Sequence, residues 1–210
     1  MIKNLLFDLG GVIMNIRRQN CVEAFRRLGM ANPDAYLGEY SQSGPFQCIE
    51  DGSCSISEFH DEIRRIVGNP GLTGEAIDEA FGKFLLGIPE ARLDELVRLR
   101  ATYRVYLLSN TNPVMWGREI KWAFEQQGHD VDWYIDGIVK SYEARCMKPD
   151  PRIFEFACAR LGIQAGETLF LDDSQKNLDA AAALGFRTLL VKPGTEFYTL
   201  LGEYPGIHLI

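Results

Sequence analysis

Apolar residues concentrate in short runs at the start of the chain and in its second half, and form spaced patterns elsewhere. The runs at residues 2–9, 103–108, 168–171 and 187–191 are β-branched or leucine-rich. Runs of that kind and length predict strands covered on both faces. A weaker run at 133–139 fits between the second and third. Between these runs the pattern is helical. Residues 91–101 place Leu93, Leu96, Val97 and Arg100 at helical spacing, and residues 151–161 do the same with Ile153, Phe154, Phe156, Ala157 and Leu161. Gly162 is placed to end the second of these, and an alanine-rich stretch at 177–184 stops at Gly185. Strands alternating with helices predict βαβ units, hence an α/β fold with a parallel sheet covered on both faces.

Residues 17–89 break that alternation. They predict helices at 20–28, 33–40, 57–67 and 74–85, separated by turn residues at Gly52, at Asn69-Pro70-Gly71 and from Gly87 to Pro89. Ser55 followed by Glu58 reads as a capping box that starts the third helix. The expected organisation is a core of residues 1–16 and 90–210, with a helical cap at 17–89 inserted after the first strand. The tail at 198–210 predicts a short helix and an edge strand.

Composition narrows the partners. The formal charge of −7 opposes nucleic acid and anionic membrane surfaces, while leaving room for a small anion at a locally positive site. The apolar N-terminal run is interrupted by Asp8, which argues against a signal peptide, and no run reaches membrane-spanning length. Cys21, Cys48, Cys54, Cys146 and Cys158 are odd in number and form no CxxC pair. That usage predicts a reduced cytoplasmic protein without a disulfide frame or zinc site.

In open parallel sheets ligands bind beyond the carboxyl ends of the strands. Here those ends are polar: Asp8 after the first run, Ser109-Asn110-Thr111 after the second, Asp172-Asp173-Ser174 after the third. Lys148 opens KPDP just before a helix. Taken singly, each is an ordinary turn or cap residue. Together, three carboxylates suit a hard dication such as magnesium, Lys148 offers a second positive charge, and Ser109 with the backbone around Asn110 offers donors to an anion. Such a set would stabilise a transferring phosphoryl group while Asp8 attacks it.

The motifs FDLGGV (7–12), LLSNT (107–111), KPDPRIF (148–154) and FLDDS (170–174) resemble, in order, those of the haloacid dehalogenase-like (HAD) hydrolase superfamily. The resemblance implies a Rossmann-like core and a cap after the first motif. It implies that Asp8 is the nucleophile forming an aspartyl-phosphate, that Ser109 and Asn110 bind the phosphoryl group, and that Lys148 pairs with it and with Asp8. Asp8, the Gly10 carbonyl, Asp172 and Asp173 would hold magnesium, and the substrate would be a small phosphorylated metabolite.

Family phosphatases usually carry a second aspartate, the general acid, where this chain has Gly10. Loss of such a group typically costs 10²–10⁴-fold. The DLGG pattern is similar to that of sugar-phosphate phosphatases, and an anomeric phosphate, already a good leaving group, is the substrate expected on this reasoning. Two other readings are a catalytically weak binding module and a 2-haloacid dehalogenase. The intact charged set speaks against the first, and Gly10, where dehalogenases carry an aromatic residue, against the second. In the cap, Phe46, Gln47 and Glu50 are the candidates to face substrate. Trp116 in the segment 112–116, Arg17 or Arg18, and, as a replacement acid, His60 are weaker candidates. His129 and His208 carry no motif.

Overall fold

The computed structural model describes residues 1–38 and 41–208. A five-stranded, wholly parallel sheet forms from β1 (Asn4–Phe7), β4 (Arg104–Ser109), β5 (Gly137–Lys140), β6 (Thr168–Asp172) and β7 (Arg187–Leu190), in the order β5-β4-β1-β6-β7. Every residue of β1 and β6 is buried, which is why residues 5–7 and 169–171 are consecutive apolar residues rather than alternating ones. The chain steps outward from β1 through β4 to β5, then returns to β6 on the other side of β1. That reversal opens a crevice at the carboxyl end of β1. Phe7 stands level with Leu107 and with Leu171, so Asp8, Ser109 and Asp172 emerge along one edge.

A short antiparallel ribbon joins β2 (Asn15–Ile16) to β3 (Leu85–Gly87) and carries the chain out and back. Between its strands lie α1 (Arg18–Arg27), α2 (Pro45–Glu50), α3 (Ile56–Val67) and α4 (Gly74–Gly82). They close on fully buried phenylalanines. Phe46 meets Phe25 edge-on at 4.9 Å, Phe81 at 5.1 Å and Phe59 at 5.6 Å. The capping box of α3 is made as expected, with Ser55 Oγ accepting from Glu58 N–H and the Glu58 carboxylate accepting from Ser55 N–H.

Several expectations are corrected. The helix at 33–40 is a single 3₁₀ turn, Pro33–Ala35, and its last two positions lie outside the described residues. The helix at 74–85 stops at Gly82, because the chain must extend into β3. In the run 133–139 the first half is helical, Val131–Tyr134. The strand there begins only at Gly137, after Asp136 has taken Val105 N–H at 2.8 Å and the Arg100 guanidinium at 2.8 Å. Helix Phe197–Glu203 forms, but residues 204–208 form no strand and 209–210 lie outside the described residues. A helical run at 113–125, containing one π turn at Trp116–Ile120, and the helix α2 had no counterpart in the sequence pattern.

Candidate active site

Lys148 organises the crevice. Its Nζ lies 2.8 Å from Asp8 Oδ1 and 2.7 Å from Asp172 Oδ2, and the side chain is almost wholly buried. Burial opposes the ammonium charge, but Asp172 and Asp8 outweigh it and hold Lys148 above its ordinary range. Asp8 moves the other way from most ion-paired carboxylates. Burial pushes it up to about 7, Lys148 resists, and the negative charges of Asp172 and Asp173 add to the rise.

Asn110 explains why Lys148 sits where it does. Its Nδ2 donates to the Lys148 carbonyl and its Oδ1 accepts from the Lys148 N–H, each at 2.9 Å. The Asn110 side chain is therefore committed to the backbone of the lysine loop, and contact with a ligand falls to its main chain. Ser109 is buried beside it at the end of β4. The helix after Lys148, Pro151–Leu161, starts on the Asp150 carboxylate, which accepts from Arg152 N–H, and ends on left-handed Gly162.

One oxygen each from Asp8, Asp172 and Asp173 fall within 4.8 Å of one another. An all-oxygen donor set of this kind suits magnesium. The three carboxylates are not equivalent. Asp172 already accepts from Ser174 N–H at 2.8 Å, from Asn177 Nδ2 at 3.0 and 3.1 Å, and from Lys148. Asp173 approaches the β1 loop at Gly11, which has φ +75°, and a Cβ at Gly11 would stand 2.3 Å from Asp173 Oδ2. So the glycine that packing requires is Gly11. At Gly10 a Cβ would meet only Ile16, at an ordinary 3.5 Å.

Asp8, Gly10, Ser109, Asn110, Lys148 and Asp173 line one cavity of about 100 Å³. Residues 17–89 contribute Gln42, Glu50, Phe81, Phe84 and Leu85 to its wall. Of the three candidates proposed on that segment, only Glu50 is there. Phe46 is spent on the aromatic cluster, and Gln47 is exposed. Burial, with the charge of Asp51 adding, pushes the Glu50 carboxyl up to about 8. Arg18 is tied to Leu37 O and Asp34, and His60 pairs with Asp78 at 2.7 Å, so neither serves the cavity. Trp116 gives its face to Lys140, while Met115 next to it reaches the wall. Sequence reasoning missed Asn177, five residues beyond Asp172. It also missed Gln42, whose buried Oε1 has no hydrogen-bond partner among the described residues. Only the helical return toward the DDS turn hinted at the former, and nothing local hinted at the latter.

A family model for haloacid dehalogenase-like hydrolases matches residues 2–185. The D-ribitol-5-phosphate phosphatase of Bacteroides thetaiotaomicron is 38% identical over 197 residues, covering 94% of this chain and 95% of that protein. The crystal structure of a wild-type HAD-family enzyme from the same species, in complex with magnesium and inorganic phosphate, has a TM-score of 0.88 at 39% identity, covering 95% of this chain and 99% of that one. A predicted HAD-like family hydrolase from Porphyromonas gingivalis has a TM-score of 0.89 at 32% identity, with 97% of each chain covered.

Proposed function

This chain belongs to the haloacid dehalogenase-like hydrolase family, and we propose that it is a magnesium-dependent phosphatase of a small sugar or sugar-alcohol phosphate. The observation that carries the reading is the cluster of Asp8, Asp172 and Asp173, with Lys148 bridging Asp8 and Asp172, at a cavity lined by Asp8, Asp173, Lys148 and Ser109. The ribitol-phosphate activity of a relative matched over nearly its whole length supports the substrate class. It also moves the preferred ester from an anomeric phosphate toward a primary one.

Asp8, ionised, attacks phosphorus in line and takes the phosphoryl group as an aspartyl-phosphate. Lys148 holds Asp8 in position and faces the phosphoryl oxygens, and Ser109 donates to one of them. Asp8, Asp173 and the Gly10 carbonyl would hold the magnesium ion, while Asp172, whose oxygens are already taken, fixes Lys148. When bound, the ion neutralises charge on the transferring group and relieves repulsion among the carboxylates. Residues 17–89 serve as a cap whose side chains select the alcohol and exclude water.

The test is phosphate release from a panel of phosphomonoesters, ribitol 5-phosphate and glucose 1-phosphate included, with magnesium and with chelator, beside Asp8→Asn. Turnover requiring both magnesium and Asp8 is expected. Release no greater than that of Asp8→Asn on every ester would overturn the reading.

A further inference from the structure

The reading above, on which this inference rests, leaves one proton without a source. A primary alcohol departs badly as an alkoxide, and Gly10 offers no side chain to protonate it. We propose that Glu50, from the end of α2, is the general acid for the leaving alcohol.

Glu50 lines the same cavity as Asp8, Ser109 and Lys148 and is 9% exposed. Its backbone is fixed to the core beside the phosphoryl-binding loop. The Ser141 hydroxyl donates to the Glu50 carbonyl at 2.7 Å and accepts from Thr111 N–H at 2.9 Å, two residues beyond Ser109. The following turn is seated as closely. Gly52 has φ +73°, and a Cβ there would stand 2.2 Å from the Tyr142 carbonyl oxygen. Among the described residues nothing hydrogen-bonds the Glu50 carboxyl, so the cavity and its contents are what it can serve.

The charged and titratable groups around it are Asp51 on its own turn, Cys21 on α1, and Asp8, Asp173 and Lys148 lining the same cavity. Burial keeps the carboxyl protonated at neutral pH, as a proton donor requires. A Cβ at Gly10 would meet Ile16 at an ordinary 3.5 Å, so packing does not forbid a side chain from starting there. On this reading the acid comes from α2, on the wall of the same cavity.

The chemistry balances. A carboxylate oxygen of Asp8 bonds to phosphorus as the ester P–O bond breaks. The leaving oxygen keeps that electron pair, takes the proton of Glu50 and departs as the alcohol. Water then bonds to phosphorus, the phosphoaspartate P–O bond breaks, and one water proton returns to Glu50.

The experiment compares wild type and Glu50→Gln on ribitol 5-phosphate and on p-nitrophenyl phosphate, whose leaving group needs no proton, with magnesium across pH 5.5–9.5. Expected for the variant is a loss of about 10²–10⁴-fold in kcat on the alkyl ester. Its rapid release of the first equivalent of nitrophenolate should stay within a few-fold of wild type, and the fall in wild-type kcat above about pH 8 should vanish. Adding Gly10→Asp to Glu50→Gln is expected to restore part of the alkyl turnover. An equal loss of the nitrophenolate release step, or an effect confined to KM, would overturn the inference. A wild type inactive on every ester would instead overturn the phosphatase reading itself.

Discussion

Lys148 and Asp172 meet at 2.7 Å with side chains 1% and 0% exposed, a salt bridge shut away from solvent. Such a pair stabilises only while both members are present, since removing one strands the other's charge. Here Lys148 also faces Asp8, so its loss leaves three clustered carboxylates without a cation. Lys148→Met is expected to lower stability by about 3–5 kcal/mol and to abolish turnover. Magnesium should recover part of the stability by taking over the charge. Urea unfolding with and without magnesium checks this, and the magnesium increment should be larger in the variant than in wild type.

The adjacent glycines of the first motif should respond in opposite ways. A Cβ at Gly10 meets Ile16 at 3.5 Å, whereas one at Gly11 falls 2.3 Å from Asp173 Oδ2 on a backbone at φ +75°. Gly10→Ala is expected to fold and keep its magnesium requirement unchanged. Gly11→Ala has to displace Asp173 and strain the loop, at on the order of 1 kcal/mol or more. The magnesium concentration for half-maximal activity should rise at least tenfold in Gly11→Ala and stay within twofold in Gly10→Ala.

Ser141 offers a test of how the helical segment is held over the site. Its hydroxyl serves the Glu50 and Thr111 backbones and is fully buried. Ser141→Ala leaves those groups unpaired, at a cost of about 1–3 kcal/mol. Because both bonded residues sit at the cavity, kcat on the preferred ester should fall by more than the loss of folded protein explains. Thermal unfolding and kcat, measured on the same preparation, separate the two effects.

Much of this was readable from the chain because the informative residues are neighbours in sequence. Parallel strands buried on both faces are largely apolar runs with polar groups at their carboxyl ends, so Asp8, Ser109, Asp172 and Asp173 could be picked out before any geometry, and Lys148 from its place in KPDP before a helix. Helix Pro151–Leu161 matched to the residue, with Pro151 and Gly162 as its punctuation. By contrast, α2 is six residues long, too short for a period to register. The π turn at Trp116–Ile120 disturbs the spacing of the run that contains it. The cavity's far wall was least legible, because it depends on how four helices turn about a shared aromatic cluster. Phe46 and Glu50 lie one turn apart on α2, yet one fills the cluster and the other lines the cavity.

Glu50 also makes a prediction that needs no substrate. In the folded protein its carboxyl titrates at about 8, against 4.5 for an ordinary glutamate. Between those values the native state holds a proton that the unfolded chain has released, so this residue's contribution to stability is whole below about pH 4.5 and is lost as pH rises toward 8. A neutral glutamine carries no such cost. Glu50→Gln should therefore be close to wild type in stability at pH 5 and gain on it with rising pH, the gap widening by on the order of 3 kcal/mol by pH 8. Denaturant unfolding of both proteins at pH 5, 6.5 and 8 measures that gap. A difference that stays constant across the three would mean that Glu50 ionises in the folded state as an ordinary glutamate does, and it would remove the proton that the leaving alcohol is proposed to take.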